Sequence, residues 1–347
     1  MFKYHEHMPI IEHEIRATPE FIDRAVDALA EAGLRADWSA RPSDLGRAVP
    51  GTLTVDDGHV KHEFPALAVA SASAGDVALL PHDERTILLG DHISRTRAQQ
   101  LKDRGWGGFL DSAGNSSLRA AGLTVEISGQ RSESRMPTPP TTAPFTRAGL
   151  PVTFALLANH EHFGVTPTQR GLAEISGASL GTVNRVVRAL RDRTPPFLEG
   201  RHNDITRPAA LEREWISAYS TQQPGAWPDE RFTSEIWASP RDLSEIDLPP
   251  GALFGSEVAA AHLGASIRPA EAVIYVDGDS TRRELIRLGR LRKDENGTIR
   301  LRPALWRTPP APTENQTVPR LLIRADLLLE DDPRTDEISA EFAGGRR

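Results

Sequence analysis

The sequence of 347 residues contains no cysteine. Disulfide bonds, cysteine-ligated zinc sites and thiol nucleophiles are therefore excluded together. The sequence also lacks any run of about 18 consecutive apolar residues, so no membrane-spanning helix is expected. Residues 1–16 have neither the basic start nor the apolar centre of a secretion signal. These absences predict a cytoplasmic protein that is not held in a membrane.

Lysine is scarce, with four residues, whereas arginine supplies the rest of the 41 basic side chains. The net charge of -7 argues against a protein that coats nucleic acid without selectivity. A sequence-selective DNA-binding protein needs only a local basic surface, which the overall charge does not exclude. Arginine is also the side chain that best reads guanine and holds phosphate, because its planar group presents a fork of donors.

Three blocks of the chain together predict an α/β (α+β) fold. Residues 1–131 form an α/β block, and residues 132–149, rich in Pro, Thr and Ser, predict a mobile linker. A central block spans 150–220, and a second α/β block spans 227–342. Helices are expected at 19–33, 94–104, 256–263 and 281–288. Strands are expected at 51–55, 66–70, 77–80, 86–89, 108–110, 123–127, 272–276, 298–301 and 320–324.

The most informative stretch, residues 166–193, has the pattern of a helix-turn-helix. Thr166 and Pro167 suit the start of one helix. Gly177 permits a sharp turn, and Ser179 suits the cap of a second helix. A two-stranded wing at 197–206 and a helix at 208–219 complete the predicted winged domain. The apolar residues of the second helix recur at helical spacing and predict a buried stripe: Val183, Val186, Val187 and Leu190.

Three sets of side chains are predicted to contact double-stranded DNA. The start of the first helix is expected to contact phosphate through Thr168, Gln169 and Arg170. The face of the second helix opposite the apolar stripe is expected to contact base edges through Ser179, Gly181, Thr182, Asn184, Arg185 and Arg188. The wing tip is expected to reach the adjacent minor groove or backbone through Arg201, His202 and Asn203. Asn184 suits adenine and Arg185 suits guanine.

Residues 282–307 form a basic run, in which nine Lys or Arg residues and three carboxylates give 9 - 3 = +6. Such a run can extend a DNA footprint or bind an acidic partner. It is also typical of a solvated helix followed by a charged hairpin, and the sequence leaves both interpretations open.

Nucleotidyltransferases use a Gly-Ser turn to hold a triphosphate and two carboxylates, one residue apart, to hold Mg²⁺. The same residue types occur here at Gly255–Ser256 and at Asp277–Gly278–Asp279. The carboxylates follow later than in that enzyme class, and they end a strand, where Asp-Gly-Asp is ordinary turn chemistry. We therefore expect Ser256 to cap a helix, with Glu257 placed favourably near the positive helix end.

Two histidine pairs, His5 with His7 and His160 with His162, lack a third ligand at a suitable spacing for a metal. The sequence has no G-x-S-x-G motif of a serine hydrolase. We therefore expect no metal site, no cofactor and no enzymatic activity.

Several segments, taken in order, resemble the bacterial AbiEi-type family of type IV toxin–antitoxin antitoxins and related transcriptional regulators. They are LDSAGN at 110–115, LTVEISGQR at 123–131, LEREWISAY at 211–219, GSEVAAAHLGASIRPAEAVIYV at 255–276 and LLIRADLLLEDDPRTDEISAEF at 321–342. The resemblance implies a winged helix that binds operator DNA, frequently an inverted repeat before the protein's own operon. It also implies that the remaining chain serves antitoxin activity or dimerisation.

The same resemblance implies a restriction-endonuclease-like fold for the first block. An active nuclease of that class needs a carboxylate two residues before a lysine, to hold metal and activate water. The residues two places before the four lysines are Met1, His59, Gln100 and Leu291. The nearest remnant, residues 126–128, lacks the lysine. We therefore predict an inactive scaffold.

These observations together predict a non-enzymatic, sequence-specific DNA-binding transcriptional regulator. It would be a nucleoid-associated repressor that occludes its operator as a homodimer, or as two copies on an inverted repeat. Three alternatives stay open. They are an antitoxin that neutralises a nucleotidyltransferase-type toxin protein, a nucleic-acid enzyme, and an architectural or DNA-end-binding protein.

Overall fold

The computed structural model describes residues 19–41, 45, 48–70, 72, 74–130, 143–163, 166–310, 314–330 and 332–343. This part of the chain has a mixed α/β architecture with 11 α-helices and 14 β-strands. It divides into two compact units, the first within residues 1–71 and 82–135 and the second within residues 72–81 and 136–347. Of the helices in these described ranges, none combines the length and apolar character that crossing a membrane requires.

The first unit is built on a seven-stranded sheet whose strands lie in the order of the sequence. The strands are β1 (Arg35–Ala40), β2 (Val49–Asp56), β3 (Lys61–Val69), β4 (Ile87–Gly90), β5 (Gly108–Asp111), β6 (Ser116–Ala120) and β7 (Leu123–Ile127). The pairs β3–β4 and β4–β5 are parallel, and the other neighbours are antiparallel. Because parallel neighbours need a crossover, helix α3 (Arg95–Asp103) connects β4 to β5.

Helix α1 (Glu20–Glu31) covers the core of this sheet. It begins after Pro19, carries acidic residues in its first turn, and is followed by Gly33 at φ +83°. Its apolar stripe is buried: Phe21, Ile22, Ala25 and Leu29. The helix predicted here is confirmed. Strands β1 and β6 were not predicted, because each is largely polar and carries no strong apolar alternation.

Residues 77–80, expected to be a strand, belong instead to helix α2 (Ala74–Leu79) or follow it directly. A short apolar run cannot be distinguished from a helical segment by periodicity. The second unit contains α2, which packs on helix α7 (Pro208–Ala226). A Cβ atom added at Gly75 would lie 3.2 Å from the Cα of Ser217, so the glycine allows α2 to pack closely on α7.

The second unit opens with a group of helices and a short hairpin. Its elements are α4 (Leu150–Phe163), α5 (Gln169–Ser176), α6 (Leu180–Arg191), β8 (Leu198–Glu199), β9 (Asp204–Ile205) and α7. Residues 143–149 had been included in the predicted linker, but Pro144 and Phe145 are buried here, and the Thr153 hydroxyl donates to the Pro144 carbonyl. These residues therefore pack against the start of α4. The rest of the predicted linker lies outside the described ranges.

A five-stranded sheet in the order β11-β12-β14-β10-β13 forms the rest of this unit. Its elements are β10 (Glu230–Thr233), β11 (Ala252–Gly255), α8 (Ser256–His262), β12 (Ala272–Val276), α9 (Asp279–Leu288), β13 (Arg292–Lys293), β14 (Ile299–Pro303), α10 (Arg320–Leu329) and α11 (Pro333–Glu341). The strand expected at 320–324 is wrong, because these residues begin α10 after Pro319 and bury Leu321, Leu322 and Ile323.

One hydrophobic core runs through the helices and the sheet of the second unit. Phe154 of α4 stacks on Trp306 at 5.8 Å between ring centroids, and Trp306 contacts Tyr275 of β12 at 5.6 Å. Trp215 of α7 packs on Phe154 as well. The blocks expected at 150–220 and 227–342 therefore share a core, and α7 extends past the expected boundary at residue 220.

A buried ionic network joins α7, the sheet and α10. Arg302 is 2% exposed, and its Nε and Nη2 atoms donate to the Asp229 carboxylate at 2.6 and 3.0 Å. Its Nη1 atom donates to Asp326 and to the Tyr275 hydroxyl, and the Tyr219 hydroxyl lies 3.1 Å away. Burial raises the pKa of the Asp326 carboxyl, and the neighbouring Arg302 opposes that effect.

Glu161, near the end of α4, gives the stability of this unit a pH dependence. Burial raises its pKa to about 7 and Glu212 adds to the rise, whereas the Leu321 N–H and Arg320 oppose it. The folded protein therefore keeps a proton on Glu161 that the unfolded chain loses above its ordinary pKa near 4.5. The free energy of unfolding should fall as the pH rises from about 4.5 to about 7 and should then level off.

Replacing Glu161 by Gln should abolish this contribution. The Gln side chain still accepts from the Leu321 N–H but cannot ionise, so above pH 7 we expect a gain on the order of 2 kcal/mol over the wild type. Denaturant unfolding between pH 5 and pH 8 measures the difference. Glu337→Gln, at an exposed position, is the control. A constant difference between E161Q and wild type across this range would contradict the prediction.

Candidate nucleic-acid interface

Helices α5 and α6 meet at a tight turn that local residues define. Thr168 caps α5 by accepting from the Gly171 N–H at 3.1 Å, so the cap lies two residues after the expected Thr166. Gly177 ends α5 in the left-handed conformation at φ +71°. Ser179 caps α6 by accepting from the Thr182 N–H at 3.2 Å, as the sequence predicted.

Helix α6 has two faces of opposite character. The predicted apolar stripe is buried: Val183, Val186, Val187 and Leu190. The opposite face is exposed and carries Gly181, Asn184, Arg185 and Arg188. Since this face is not needed for packing within the chain, its polar groups are available to an external ligand.

A short chain of hydrogen bonds orients Arg185. Its Nη2 atom donates to the Thr182 hydroxyl at 3.1 Å, and that hydroxyl lies 3.1 Å from the Ser179 hydroxyl. The guanidinium is therefore held toward the N-terminal end of α6. Within the described ranges, neither Arg185 nor Arg188 forms an ion pair with a carboxylate. Their charges are consequently not neutralised at this surface.

The hairpin of β8 and β9 is braced against α6. Arg191 donates from Nη2 to the Gly200 carbonyl at 2.8 Å, and Gly200 has a left-handed φ of +67°. Arg201 and His202 are exposed at the tip, as expected. Asn203 is only 9% exposed and has φ +55°, so it does not lie on the tip surface as expected. Asparagine tolerates the left-handed conformation well, which explains its place in this turn.

The start of α5 lies next to this surface. Arg170 and Thr168 are exposed, and Gln169 is half-buried. The Thr168 hydroxyl already accepts a hydrogen bond from the Gly171 N–H. What it can offer an external ligand is therefore mainly its own proton, as a hydrogen-bond donor.

Leu180 is a residue of this surface that the sequence did not single out. It is the first residue of α6, and 49% of its surface is exposed. Helical spacing relates it to Val183 and Val187, so periodicity alone would place it in the buried stripe. It escapes burial because it lies in the first turn. An apolar side chain here suits contact with a thymine methyl group.

The basic run at 282–307 is not a continuous cationic surface. Arg300 and Arg302 are buried in ion pairs, at 9% and 2% side-chain exposure. Arg282 and Lys293 both contact Glu230, and Arg292 contacts Glu235. These pairs involve more than half of the basic side chains of the run, so the run as a whole does not form one cationic footprint.

The residues compared with a nucleotidyltransferase site have partners within the chain. Ser256 begins α8 with φ +47° and donates to Glu330, so it is not the helix cap that was expected. Asp277 accepts from the Thr281 hydroxyl at 2.6 Å, and Asp279 begins α9. In the part of the chain that the structure describes, no three His, Asp or Glu residues are grouped to hold a metal ion.

Other candidate residues are equally accounted for, or lie outside the description. Glu257 is buried and pairs with Arg334, in addition to its place in the first turn of α8. Glu126, which the sequence analysis compared with a nuclease carboxylate, lies 3.6 Å from Arg119 across neighbouring strands. His5 and His7 lie outside the described residues, as does the His162 side chain.

Residues 204–342 match the family described as "Transcriptional regulator, AbiEi antitoxin, Type IV TA system". The match covers the second half of the β8–β9 hairpin, α7, the five-stranded sheet and its helices, up to α11. It supports an AbiEi-like family assignment, as the resemblance of the sequence implied. No curated protein and no solved structure matches the chain.

Proposed function

We propose that this AbiEi-like chain is a non-enzymatic, sequence-specific transcriptional regulator that represses its own operon. In this proposal α4–α6 and the β8–β9 hairpin act as a winged helix-turn-helix. The observation that carries it is the division of α6 into a fully buried apolar stripe and an exposed face with unneutralised arginines. That division is what a helix needs to pack on its domain while presenting donors to the major groove.

The contacts follow from the positions of the side chains. Arg185 reads guanine through its two parallel donors, and Asn184 reads adenine. Arg170 holds a phosphate beside the first helix of the pair, and Arg201 with His202 reaches the adjacent backbone or minor groove. Two copies on an inverted repeat would then match the two-fold symmetry of an operator.

The test uses the purified full chain and a labelled duplex from upstream of its own gene. Binding is measured against random competitor DNA over a series of salt concentrations. Tight binding that survives the competitor and protects an inverted repeat supports the proposal. Binding that disappears with salt and shows no preferred site would reflect phosphate contact alone and would refute it.

A second candidate function is neutralisation of a toxin protein, which the extent of the family match favours. The matched residues 204–342 begin after α6 ends. The similarity to the antitoxin family therefore lies outside the helix proposed to read DNA. Co-expression with the protein encoded next to its gene tests this function. If the neighbouring protein alone inhibits growth, and co-expression gives a stable complex and restores growth, this function is established. If the neighbouring protein alone does not inhibit growth and no complex forms, this function is refuted.

Gly181 provides a prediction in which stability and DNA affinity change in opposite directions. A Cβ atom added there would meet only the Ser179 hydroxyl, at 3.8 Å, so the fold does not require glycine at this exposed helical position. Gly181→Ala should therefore raise the free energy of unfolding by about 0.5–1 kcal/mol. It should also weaken operator binding several-fold, since the new methyl group lies where the helix backbone would approach DNA closely.

Gly171→Ala is the matched control, because its added Cβ would lie at 3.5 Å from Pro167 and Thr168 within α5. It should change stability without the loss of operator affinity. Thermal unfolding and fluorescence anisotropy with the operator duplex measure the two properties. If G181A bound the operator as tightly as the wild type, close approach of DNA at this residue would be excluded.

A further inference from the structure

The segment after β14 returns to the turn between α5 and α6. Its main chain is fixed there, because the Arg307 N–H donates to the Ile175 carbonyl at 2.8 Å and the Thr308 N–H points to the same oxygen at 3.3 Å. Leu305 and Trp306 are buried just before it. Trp306 stacks in the core of the unit, so the segment has a rigid anchor immediately before Arg307.

The Arg307 side chain lies against the turn itself. A Cβ atom added at Gly177 would lie 3.3 Å from the Arg307 Cβ and 3.6 Å from its Nε. The arginine stem therefore runs along the glycine, two residues before the Ser179 cap of α6. The residue is exposed, and within the described ranges no carboxylate or hydrogen-bond acceptor engages its guanidinium.

Its main-chain bond to α5 distinguishes Arg307 from the other cations of the run at 282–307, among which Arg283, Arg287 and Arg290 are also exposed. Arg300 and Arg302 are buried in ion pairs, and Arg282, Arg292 and Lys293 contact carboxylates. Arg307 combines an exposed, unpaired charge with a main chain bonded to α5. Because the main chain of Arg307 is already fixed, binding an anion would order only its side chain.

We propose that Arg307 is a DNA-backbone contact that the C-terminal part of the chain supplies to the α5–α6 surface. The ligand is a phosphate of the strand that borders the groove entered by the first turn of α6. This inference rests on the proposed function, and it adds a residue from the family-matched region to the DNA-binding surface. Since phosphate carries no base identity, Arg307 contributes affinity and orientation, and α6 contributes sequence preference.

The test compares Arg307→Gln with Arg287→Gln in the full-length chain. Gln removes the charge while keeping a polar side chain, and Arg287 is an exposed arginine on α9. Affinities are measured for the operator duplex and for a scrambled duplex over a series of salt concentrations. R307Q should weaken binding to both duplexes by the same several-fold factor and should reduce the slope of log K against log salt by about 1. R287Q should leave both quantities unchanged.

Arg307→Lys provides the rescue, because it restores the charge and should restore the salt slope. Thermal unfolding of each variant checks that the fold is kept. A wild-type slope and affinity in R307Q, while Arg185→Ala loses operator binding, would overturn this inference and leave the proposed function standing. Loss of operator preference in R307Q with an unchanged slope would also overturn it, since Arg307 would then read bases. A wild-type chain that shows no DNA binding would overturn both proposals.

Discussion

Replacing Arg302 by Met should lower the free energy of unfolding by about 3–5 kcal/mol, the typical cost of removing one partner from a buried ion pair. Met fills much of the space of the arginine stem, so the loss comes mainly from electrostatics. The substitution leaves the Asp326 and Asp229 carboxylates without the cation that both contact. Urea or guanidinium unfolding at fixed pH measures the change.

The pH dependence of this loss identifies its origin. Without Arg302, the pKa of Asp326 should rise further above its unfolded value, because burial is then less opposed. The folded variant keeps a proton on this carboxyl that the unfolded chain releases. Its deficit relative to the wild type should therefore grow as the pH rises from the pKa of Asp326 in the folded wild type, which burial already raises, to its higher pKa in the variant. A deficit that stays constant between pH 5 and pH 8 would assign the loss to packing instead.

Two further variants control the experiment. Arg292→Met breaks the exposed pair with Glu235, in which both side chains are more than half exposed, and should change stability little. The double variant Arg302→Met with Asp326→Leu removes the unpaired buried charge and should recover part of the loss. If R302M were no less stable than R292M, the buried network would not stabilise the packing of α7 and α10 on the five-stranded sheet.

Replacing Arg185 by Ala should weaken specific DNA binding by about 1–3 kcal/mol, which corresponds to roughly 5–150-fold in affinity. The guanidinium is exposed, lies opposite the buried stripe of α6, and is oriented by Thr182. Under the proposed function, removing it takes away two donors to a base edge, and the exposed position means that the core is not disturbed. Anisotropy titration with the operator duplex and with single-base variants measures the loss and maps the position read.

The control for Arg185 is Arg287→Ala, which removes an exposed arginine from α9. It should bind the operator as the wild type does. If R185A lost affinity equally for operator and scrambled duplexes, Arg185 would contact phosphate and not a base. An unchanged operator affinity would remove Arg185 from the proposed contact surface altogether.

Local chemistry explains why the α5–α6 pair could be predicted from the sequence. Gly177 ends one helix and Ser179 caps the next, and both effects act within a single turn of backbone. The apolar spacing of α6 then fixes which face is buried, so the exposed positions of Gly181, Asn184, Arg185 and Arg188 follow. The exposure of Leu180 and the burial of Asn203 could not be predicted from this spacing. The first depends on the position of Leu180 at the start of the helix, and the second on the turn of the β8–β9 hairpin.

Some apolar runs are too short to show a clear period, so their secondary structure depends on what they pack against. Residues 77–80 and 320–324 both look like strands in isolation. The first lies in helix α2, which packs on α7, or directly after it, and the second begins α10, where Leu321, Leu322 and Ile323 are buried. The sequence contained the apolar residues but not the surfaces against which they pack.

The sequence by itself determined the mixed α/β class, the helix pair at 169–191 and its exposed polar face, because caps, glycine turns and helical periodicity act over a few residues. The tertiary structure alone decided which charges are free. Arg302 lies only five residues before Arg307, yet one is buried among carboxylates and the other is exposed beside Gly177. Ion pairing and burial join residues tens of positions apart, such as Arg302 with Asp229, and no local pattern records those contacts.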